Sequence, residues 1–226
     1  MSAKKIVSQS IREQMYSALK EQILKNIYKP NEVLQIDRLA EEFGVSATPV
    51  REALVRLESD GLVTLIPNKG AQVSDISEAD IRNTWEIRRL LETYAARKSI
   101  NMISDLELDE LERDIQRLKA SPFNDDLYVS TDRRLHELFF VHLNNDLLKD
   151  SIKRVHEISN RIRYFAEGST LLSEHDKVIQ DVINEHLKII ANIRTHDPEM
   201  LVPLLYTHLM NGEQRTLEAN ARAHQK

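Results

Sequence analysis

The segment from Asp37 to Val63, DRLAEEFGVSATPVREALVRLESDGLV, constrains the fold of this chain more than any other. Apolar residues recur at helical spacing on both sides of a glycine, at Leu39, Ala40, Phe43, Val50, Ala53, Leu54 and Leu57. Gly44 and Gly61 can adopt the left-handed conformation that ends a helix. Thr48-Pro49 is typical of a helix start, because a hydroxyl can cap the helix and a proline fits its first turn. The segment therefore predicts a helix-turn-helix.

The polar face of the second helix indicates what such a motif would bind. Ser46, Thr48 and Arg51 lie near its N-terminus, away from the apolar seam. Hydroxyls and backbone N–H groups at a helix N-terminus suit phosphate oxygens, and an arginine can reach a guanine edge or a phosphate. This face predicts a recognition helix in a DNA major groove. The alternative is an ordinary helical hairpin with a polar surface.

The residues after this motif predict a small β-sheet. Leu62-Val63-Thr64-Leu65 favours a strand, Pro67-Asn68-Lys69-Gly70 a turn, and Ala71-Gln72-Val73 a returning strand. Val33-Leu34 predicts a third short strand that pairs with them. Together these elements would form a winged helix-turn-helix with Lys69 at the tip of the wing. A preceding helix over residues 8–26 is marked by an apolar stripe of Ile11, Met15, Leu19, Ile23 and Ile27.

The composition limits the class of protein. The chain has no cysteine, so disulfides and thiolate metal sites are excluded. It has neither a signal-peptide pattern at its start nor an apolar run of the ~20 residues that span a bilayer, so we expect a cytoplasmic protein with no membrane partner. The net charge is −5, but the first 73 residues hold ten Lys and Arg against nine Asp and Glu. A local basic face there could still neutralise phosphates.

The second part of the chain predicts helices only. A linker over residues 74–77 would separate a domain over residues 1–73 from one over residues 78–226, and Ser77-Glu78-Ala79-Asp80 is typical of a capped helix start. The predicted helices are Glu78–Ile103, Asp105–Lys119, Asn124–Asn144, Asp146–Glu167, Ser173–Thr195 and Pro198–Ala223. The expected fold is mainly α: a winged helix-turn-helix followed by an all-helical antiparallel bundle.

All eight histidines lie between His136 and His224, and four residues have the spacing of a metal site. Asp132 and His136 are one helical turn apart, and His186 and His208 lie within two later helices. Carboxylate and imidazole suit zinc first, with nickel, manganese or iron as alternatives, rather than magnesium or calcium. Exposed or hydrogen-bonded histidines are the competing interpretation, which we adopt for His142, His156, His175, His196 and His224.

Two sets of motifs resemble a known family. LAEEFGVSATPVREALVRLESDGLV and PNKGAQV resemble the N-terminal domain of GntR-family transcription regulators. ISEADIRNTWEIRRLLE, DRRLHELFFVHLNNDLL and NEHLKIIANIRTHDPEMLVPLLYTHL are similar to the FCD ligand-binding domain of its FadR-like branch. The resemblance covers nearly the whole chain. The match departs at Ala47, where many members have an arginine, and at Asp37, near a position that is basic in some members. The operator sequence therefore cannot be copied from relatives.

The resemblance implies roles for individual residues. Arg51, Lys69 and Gly70 match DNA-contacting positions, and the implied metal ligands are Asp132, His136, His186 and His208. It further implies a homodimer on a palindromic double-stranded operator and a small organic-acid effector. Repression relieved by the effector is the default, and activation the alternative.

The effector site is less sharply defined by the sequence. Arg88 shares a stripe with Ile81 and Trp85 and is the candidate second anchor for a carboxylate, although a surface ion pair with Glu92 is equally open. Asn145 either lines the effector site or caps the helix after it. Arg161 and Arg163 are candidate residues of the same site, although we expect them to be solvated.

Two other functions are compatible with the residues. His175-Asp176 is an adjacent His-Asp pair, as in metal-dependent hydrolases of the helical HD type. That reading leaves the helix-turn-helix unexplained, so we expect a regulator and not an enzyme. The remaining alternative is a structural metal site without an effector.

Overall fold

The computed structural model describes residues 10–120, 125–167 and 172–223 of the chain. The chain divides into two compact units, the first ending at Ile76 and the second beginning at Ser77. Within the described residues, none of the helices combines the length and the apolar character needed to cross a membrane.

The N-terminal unit is a winged helix-turn-helix, as the sequence predicts. Its elements in order are α1 (Ile11–Leu24), β1 (Val33–Gln35), α2 (Ile36–Phe43), α3 (Ala47–Ser59), β2 (Val63–Ile66) and β3 (Gly70–Val73). The strands form one antiparallel sheet in the order β1-β3-β2, in which Val33 pairs with Gln72 and Val63 with Val73. The apolar faces of all three helices meet in one core that includes Leu19, Leu39 and Leu54.

The turn chemistry of this unit is mostly as predicted. Gly44 and Gly61 have positive φ values of 63° and 74° at the ends of α2 and α3. The start of α3 needs a correction, because Ser46 has the extended backbone of the N-cap and Thr48 lies inside the first turn. The stripe on α1 is also shorter than predicted, since Ile11 and Ile27 are exposed.

In its described residues, the C-terminal unit is entirely helical, again as predicted. Its elements are α4 (Glu78–Ser99), a 3₁₀ turn (Ile100–Met102), α5 (Asp105–Ala120), α6 (Asp125–Leu138), α7 (Asp146–Glu167), α8 (Leu172–Ile193) and α9 (Pro198–Ala223). Helix α4 packs against α7 and α9, α8 packs against α5 and α9, and α6 packs against α5 and α7. Five of these helices, α4, α6, α7, α8 and α9, supply the side chains of the site described below.

Two helix boundaries in this unit are informative. Ser77 and Asp80 form the predicted capping box at the start of α4, with the Asp80 N–H donating to Ser77 Oγ at 3.1 Å. Helix α6 ends at Leu138 and not at Asn144, because the chain turns there and buries Phe139 and Phe140. The breaks at residues 121–122 and 168–169, which separate predicted helices, lie outside the described residues.

Candidate functional site

The exposed side of α3 carries the candidate DNA-binding residues. Ser46, Thr48 and Arg51 are exposed, while Val50 on the same turn is fully buried. Among the residues that the structure describes, Arg51 has neither an ion-pair nor a hydrogen-bond partner, so its guanidinium is available to a ligand. The Ser46 hydroxyl makes no capping bond to α3, so the backbone N–H groups of the first turn lack that partner. This is the arrangement that suits a phosphate.

The wing presents only one of its two candidate residues. Lys69 is exposed at the tip of the hairpin. Gly70 is buried, contrary to the expectation that it contacts DNA. Its φ is +146°, and a Cβ placed there would lie 1.9 Å from the carbonyl oxygen of Leu34. Gly70 therefore allows close approach of β1 to the hairpin, which is a structural role.

The four predicted metal ligands converge in the core of the C-terminal unit. Asp132 and His136 come from α6, His186 from α8 and His208 from α9, and all four are buried. One donor atom from each lies within 4.8 Å of every other. The Nε2 atoms of His136 and His208 are 3.2 Å apart. His186 Nε2 lies 3.3 Å from Oδ1 of Asp132. The helices thus bring residues 76 positions apart in sequence to one point.

Two further carboxylates stand behind this cluster. Glu92 Oε2 on α4 lies 2.5 Å from Nδ1 of His136, and Glu185 Oε2 on α8 lies 2.6 Å from Nδ1 of His208. The Glu185 contact is a hydrogen bond that holds the proton on Nδ1 of His208 and leaves a lone pair on Nε2, the arrangement usual for metal-binding histidines. The Glu92 contact has an ion-pair distance without hydrogen-bond geometry. Sequence reasoning missed both residues as parts of the site, although Glu185 directly precedes His186.

The residues fit a bound transition metal. Within the described part of the chain, neither ring nitrogen of the buried His186 has a hydrogen-bond partner. A buried imidazole without a partner is costly unless a ligand satisfies it. Three imidazoles and one carboxylate are the donors that zinc and its neighbours prefer. The cluster could hold a metal ion through Asp132, His136, His186 and His208.

Local charges match this role. Burial alone would raise the pKa of Asp132, but Arg163 and His136 outweigh it and hold that pKa well below its ordinary value. Burial lowers the pKa of His208 to about 3, and it also lowers the pKa of His186. The carboxylate is therefore ionised and these two imidazoles are neutral at physiological pH, which are the forms that bind a metal. Burial would lower the pKa of His136, but Glu92 and Asp132 outweigh it and raise that pKa, so a metal would displace a proton from this ring.

A small cavity adjoins the cluster. It encloses about 60 Å³ and is lined by Asp132 and His208 together with Trp85, Arg163 and Arg215. Arg163 pairs with Asp132 Oδ2, and Arg215 donates two bonds of 3.0 Å to the Glu185 carboxylate. The expectation that Arg163 is solvated is wrong, because the side chain is 6 % exposed. Arg161 is likewise buried.

The two predicted effector residues occupy different environments. Arg88 is buried, as an effector anchor would be, but it pairs with Glu92 at 2.6 Å, as the ion-pair interpretation predicts. Each sequence interpretation is therefore correct in part. It donates a second bond to Ser159 and is absent from the lining of the cavity. Asn145 is exposed, and its Oδ1 accepts the Leu148 N–H at 3.0 Å as a cap of α7. The capping interpretation accounts for its side chain.

The other histidines follow the simpler expectation where they are described. His142 contacts Glu107 at 2.7 Å, and His156 contacts Glu92 at 2.9 Å. The side chains of His175 and Asp176, on which the hydrolase alternative depends, lie outside the described residues.

Comparison with known proteins agrees with this architecture. The model of the bacterial regulatory proteins of the gntR family matches residues 11–73, and the FCD domain model matches residues 83–211. The chain is 26 % identical over 204 residues to the HTH-type transcriptional repressor RspR of Escherichia coli, covering 89 % of this chain and 87 % of the relative.

Solved structures share the fold. McbR/YncC of E. coli superposes with a TM-score of 0.75 at 22 % identity, over 93 % of this chain and 99 % of that one. The metal-free FCD domain of TM0439 gives a TM-score of 0.56 at 24 % identity, over 66 % of this chain and 99 % of that domain. The families and relatives are regulators, and none supports the hydrolase alternative. The chain belongs to the GntR family of transcription regulators, in the group whose DNA-binding domain is followed by an FCD domain.

Proposed function

We propose that this chain represses transcription from a two-fold symmetric operator and releases the DNA when a small organic acid binds beside a metal ion in its C-terminal unit. The observation that carries the proposal is one shared cavity. Asp132 and His208 of the metal cluster line it together with three arginines, Arg163, Arg215 and Arg222, and with Glu218. A cavity lined by arginines and by proposed metal ligands, in the same chain as a winged helix, suits a DNA-binding protein that an anion controls.

Zinc is the metal that we propose first, with nickel, manganese or iron as alternatives. Asp132, His136, His186 and His208 would hold it, and when bound it would offer a Lewis-acidic contact for an oxygen anion. The surrounding residues favour this role, because Glu185 holds the proton of His208 on Nδ1 and Glu92 places a negative charge beside Nδ1 of His136.

The effector that suits this site is a small carboxylate. The cavity of about 60 Å³ has room for a few water molecules or for a carboxylate group of similar size. Arg215 also lines a wider surface groove between α8 and α9, of about 740 Å³, which gives a larger acid room to extend. A guanidinium grips a carboxylate at two points. We therefore move the anchoring role from Arg88 and Asn145 to Arg163 and Arg215.

The DNA contacts that we propose are those of Ser46, Thr48, Arg51 and Lys69. The base-reading pattern should differ from that of relatives because Ala47 and Asp37 replace basic residues. A two-fold symmetric operator requires two copies of the chain. Helix α4 has three exposed apolar residues on one face, Ile87, Leu90 and Tyr94, which suit a homodimer contact. Such a regulator acts on the chromosome, so we place it in the cytoplasm.

The test is selection of genomic DNA fragments on the purified full chain at near-physiological salt, first as purified and then after small molecules are stripped. An enriched short palindrome would support the proposal, and the neighbouring genes would suggest acids to test. Absence of enrichment in both preparations would refute it. DNA binding that responds to a chelator but to no carboxylate would instead support a structural metal site without an effector.

A further inference from the structure

Glu92 is a buried carboxylate that the proposed ligand set does not use. Its side chain is 1 % exposed. Oε1 accepts from Arg88 Nε at 2.6 Å and lies 2.9 Å from His156 Nε2, and Oε2 lies 2.5 Å from His136 Nδ1. Arg88 belongs to α4 itself, His136 to α6 and His156 to α7. The Glu92 carboxylate therefore links side chains of three helices, on the Nδ1 side of the proposed metal ligand His136.

The place of α4 in the chain gives this junction its meaning. Helix α4 begins at Glu78, two residues after the last residue of the N-terminal unit. The same helix carries Trp85, which lines the cavity beside Asp132 and donates its indole N–H to Thr216 at 3.0 Å. Helix α4 thus contacts the site through both Trp85 and Glu92, and it begins directly after the DNA-binding unit in the chain.

Glu185 provides an internal comparison. It stands behind His208 as Glu92 stands behind His136, and its Oε2 lies 2.6 Å from Nδ1. Its other partners, Asn211 and Arg215, are both on α9. Glu185 itself is on α8. Two carboxylates therefore lie against Nδ1 of proposed ligands: the contact with Glu185 is a hydrogen bond, and the contact with Glu92, an ion-pair distance, is the one that involves α4.

We propose that Glu92 is a positioning residue for the metal centre and that, through it, α4 responds to whether the centre is filled. The inference rests on the proposed function and adds the route by which the site controls DNA binding. Glu92 acts on the metal only through His136.

The physical basis is the Nδ1 proton of His136. When Nδ1 carries the proton, beside Glu92 Oε2 at 2.5 Å, the lone pair on Nε2 is left for the centre. His136 becomes a stronger donor from Nδ1 when its Nε2 is bound to a cation, because the ring is then polarised. The contact with Glu92 strengthens, and α4 is held more firmly against α6 and α7. A ligand shifts an equilibrium only through such a difference between two states.

The first experiment measures metal binding alone. Cobalt(II) is titrated into the metal-free full chain, into Glu92→Gln and into Glu185→Gln, and visible absorption is recorded. We expect both variants to lose about 10- to 100-fold in cobalt affinity and to show shifted absorption bands at saturation, which a purely structural role would not cause. Glu92→Gln leaves the Arg88 cation unpaired and can unfold the unit. The double variant Arg88→Met/Glu92→Gln removes both charges and keeps the volumes.

The second experiment measures coupling. The affinity of each full chain for its selected operator is compared in chelator and at saturating zinc(II). Once Glu185→Gln is saturated with zinc(II), we expect its operator affinity to change as much as that of the wild-type chain. In Arg88→Met/Glu92→Gln, the change in operator affinity on adding zinc(II) should be at least about five-fold smaller than in the wild-type chain, although the variant is equally loaded with zinc.

The outcomes separate this inference from the proposed function. If the wild-type chain binds cobalt and the Glu92 variants match it in affinity and absorption, the positioning role is wrong. If both carboxylate variants keep the full zinc effect on DNA, the route through α4 is wrong. If the wild-type chain binds no metal, the metal-dependent function itself fails, and the role of Glu92 fails with it.

Discussion

The Nε2 atoms of His136 and His208 face each other at 3.2 Å, while Nδ1 of each ring lies against a carboxylate. In the tautomers that bind a metal, each Nδ1 carries the proton and the two Nε2 lone pairs point at one another in a buried space. A cation between them would relieve this repulsion and would also satisfy one of the two unpartnered ring nitrogens of His186.

The first prediction is that zinc stabilises the C-terminal unit. A ligand that binds only the folded state at 100 times its Kd adds about 2.7 kcal/mol to the free energy of unfolding. We expect a rise of that order in chemical denaturation with zinc, reversed by a chelator. Magnesium at the same concentration is the control, since nitrogen donors suit it poorly. Equal stabilisation by both ions would argue against a site built from imidazoles.

The second prediction concerns Arg51→Ala. Because Arg51 is exposed and has no partner among the described residues, we expect the thermal stability to be unchanged. Operator binding should weaken by about 1–3 kcal/mol, the usual value of one specific base contact, as measured by fluorescence anisotropy. The matched control is Arg56→Ala on the same helix. Arg56 lies 3.8 Å over the Tyr16 ring, so its removal should lower stability by about 0.5–1 kcal/mol. Undiminished operator affinity in Arg51→Ala would disprove the assignment of α3 as the recognition helix.

Local sequence patterns were sufficient for the fold because its signals are local. Periodicity and glycine positions place α2, α3 and the hairpin. The predictions fail where long-range packing determines the structure. Phe139 and Phe140, for example, end α6 earlier than predicted because they turn into the core. The choice of Ser46 over Thr48 as the cap depends on the entry angle of the chain, which the residue types do not specify.

The candidate site was only half accessible from the sequence. Asp132 and His136 share a face by spacing alone, but the arrival of His186 and His208 beside them depends on how three helices pack. Glu92 looks like an ordinary surface partner for Arg88 at helical spacing. Its burial against His136 arises from the packing of α4 on α7 and α9. The burial of Arg163 likewise depends on helix packing, so the sequence alone places this side chain in solvent.

The third prediction concerns Gly70→Ala. A Cβ at this position would overlap the Leu34 carbonyl oxygen, and the φ of +146° is strained for any other residue. We expect the N-terminal unit to lose at least about 2 kcal/mol of stability and the chain to lose DNA binding as a consequence. Lys69→Ala is the companion variant, because it should weaken DNA binding without unfolding. Wild-type stability in Gly70→Ala would show that the hairpin does not approach β1 so closely.

The fourth prediction concerns Gly212→Ala in α9. Helix propensity alone would make this change stabilising by about 1 kcal/mol. The new Cβ, however, would lie 2.4 Å from the Trp85 ring, which is buried beside the cavity. Overpacking of this kind costs about 1–3 kcal/mol. We therefore expect a lower denaturation midpoint and weaker metal-dependent control of DNA binding. A higher midpoint would mean that Trp85 has room to move.

The central claim is that the buried cluster controls DNA binding by taking up a metal and a small acid. The most direct test is the affinity of the zinc-loaded chain for its selected operator, measured while a panel of small carboxylates is titrated. We predict that one class of acid weakens binding by at least about five-fold. In His186→Ala, we predict reduced zinc content, nearly intact DNA binding and no response to that acid. An equal response in His186→Ala, or no response to any carboxylate in the wild-type chain, would contradict the claim.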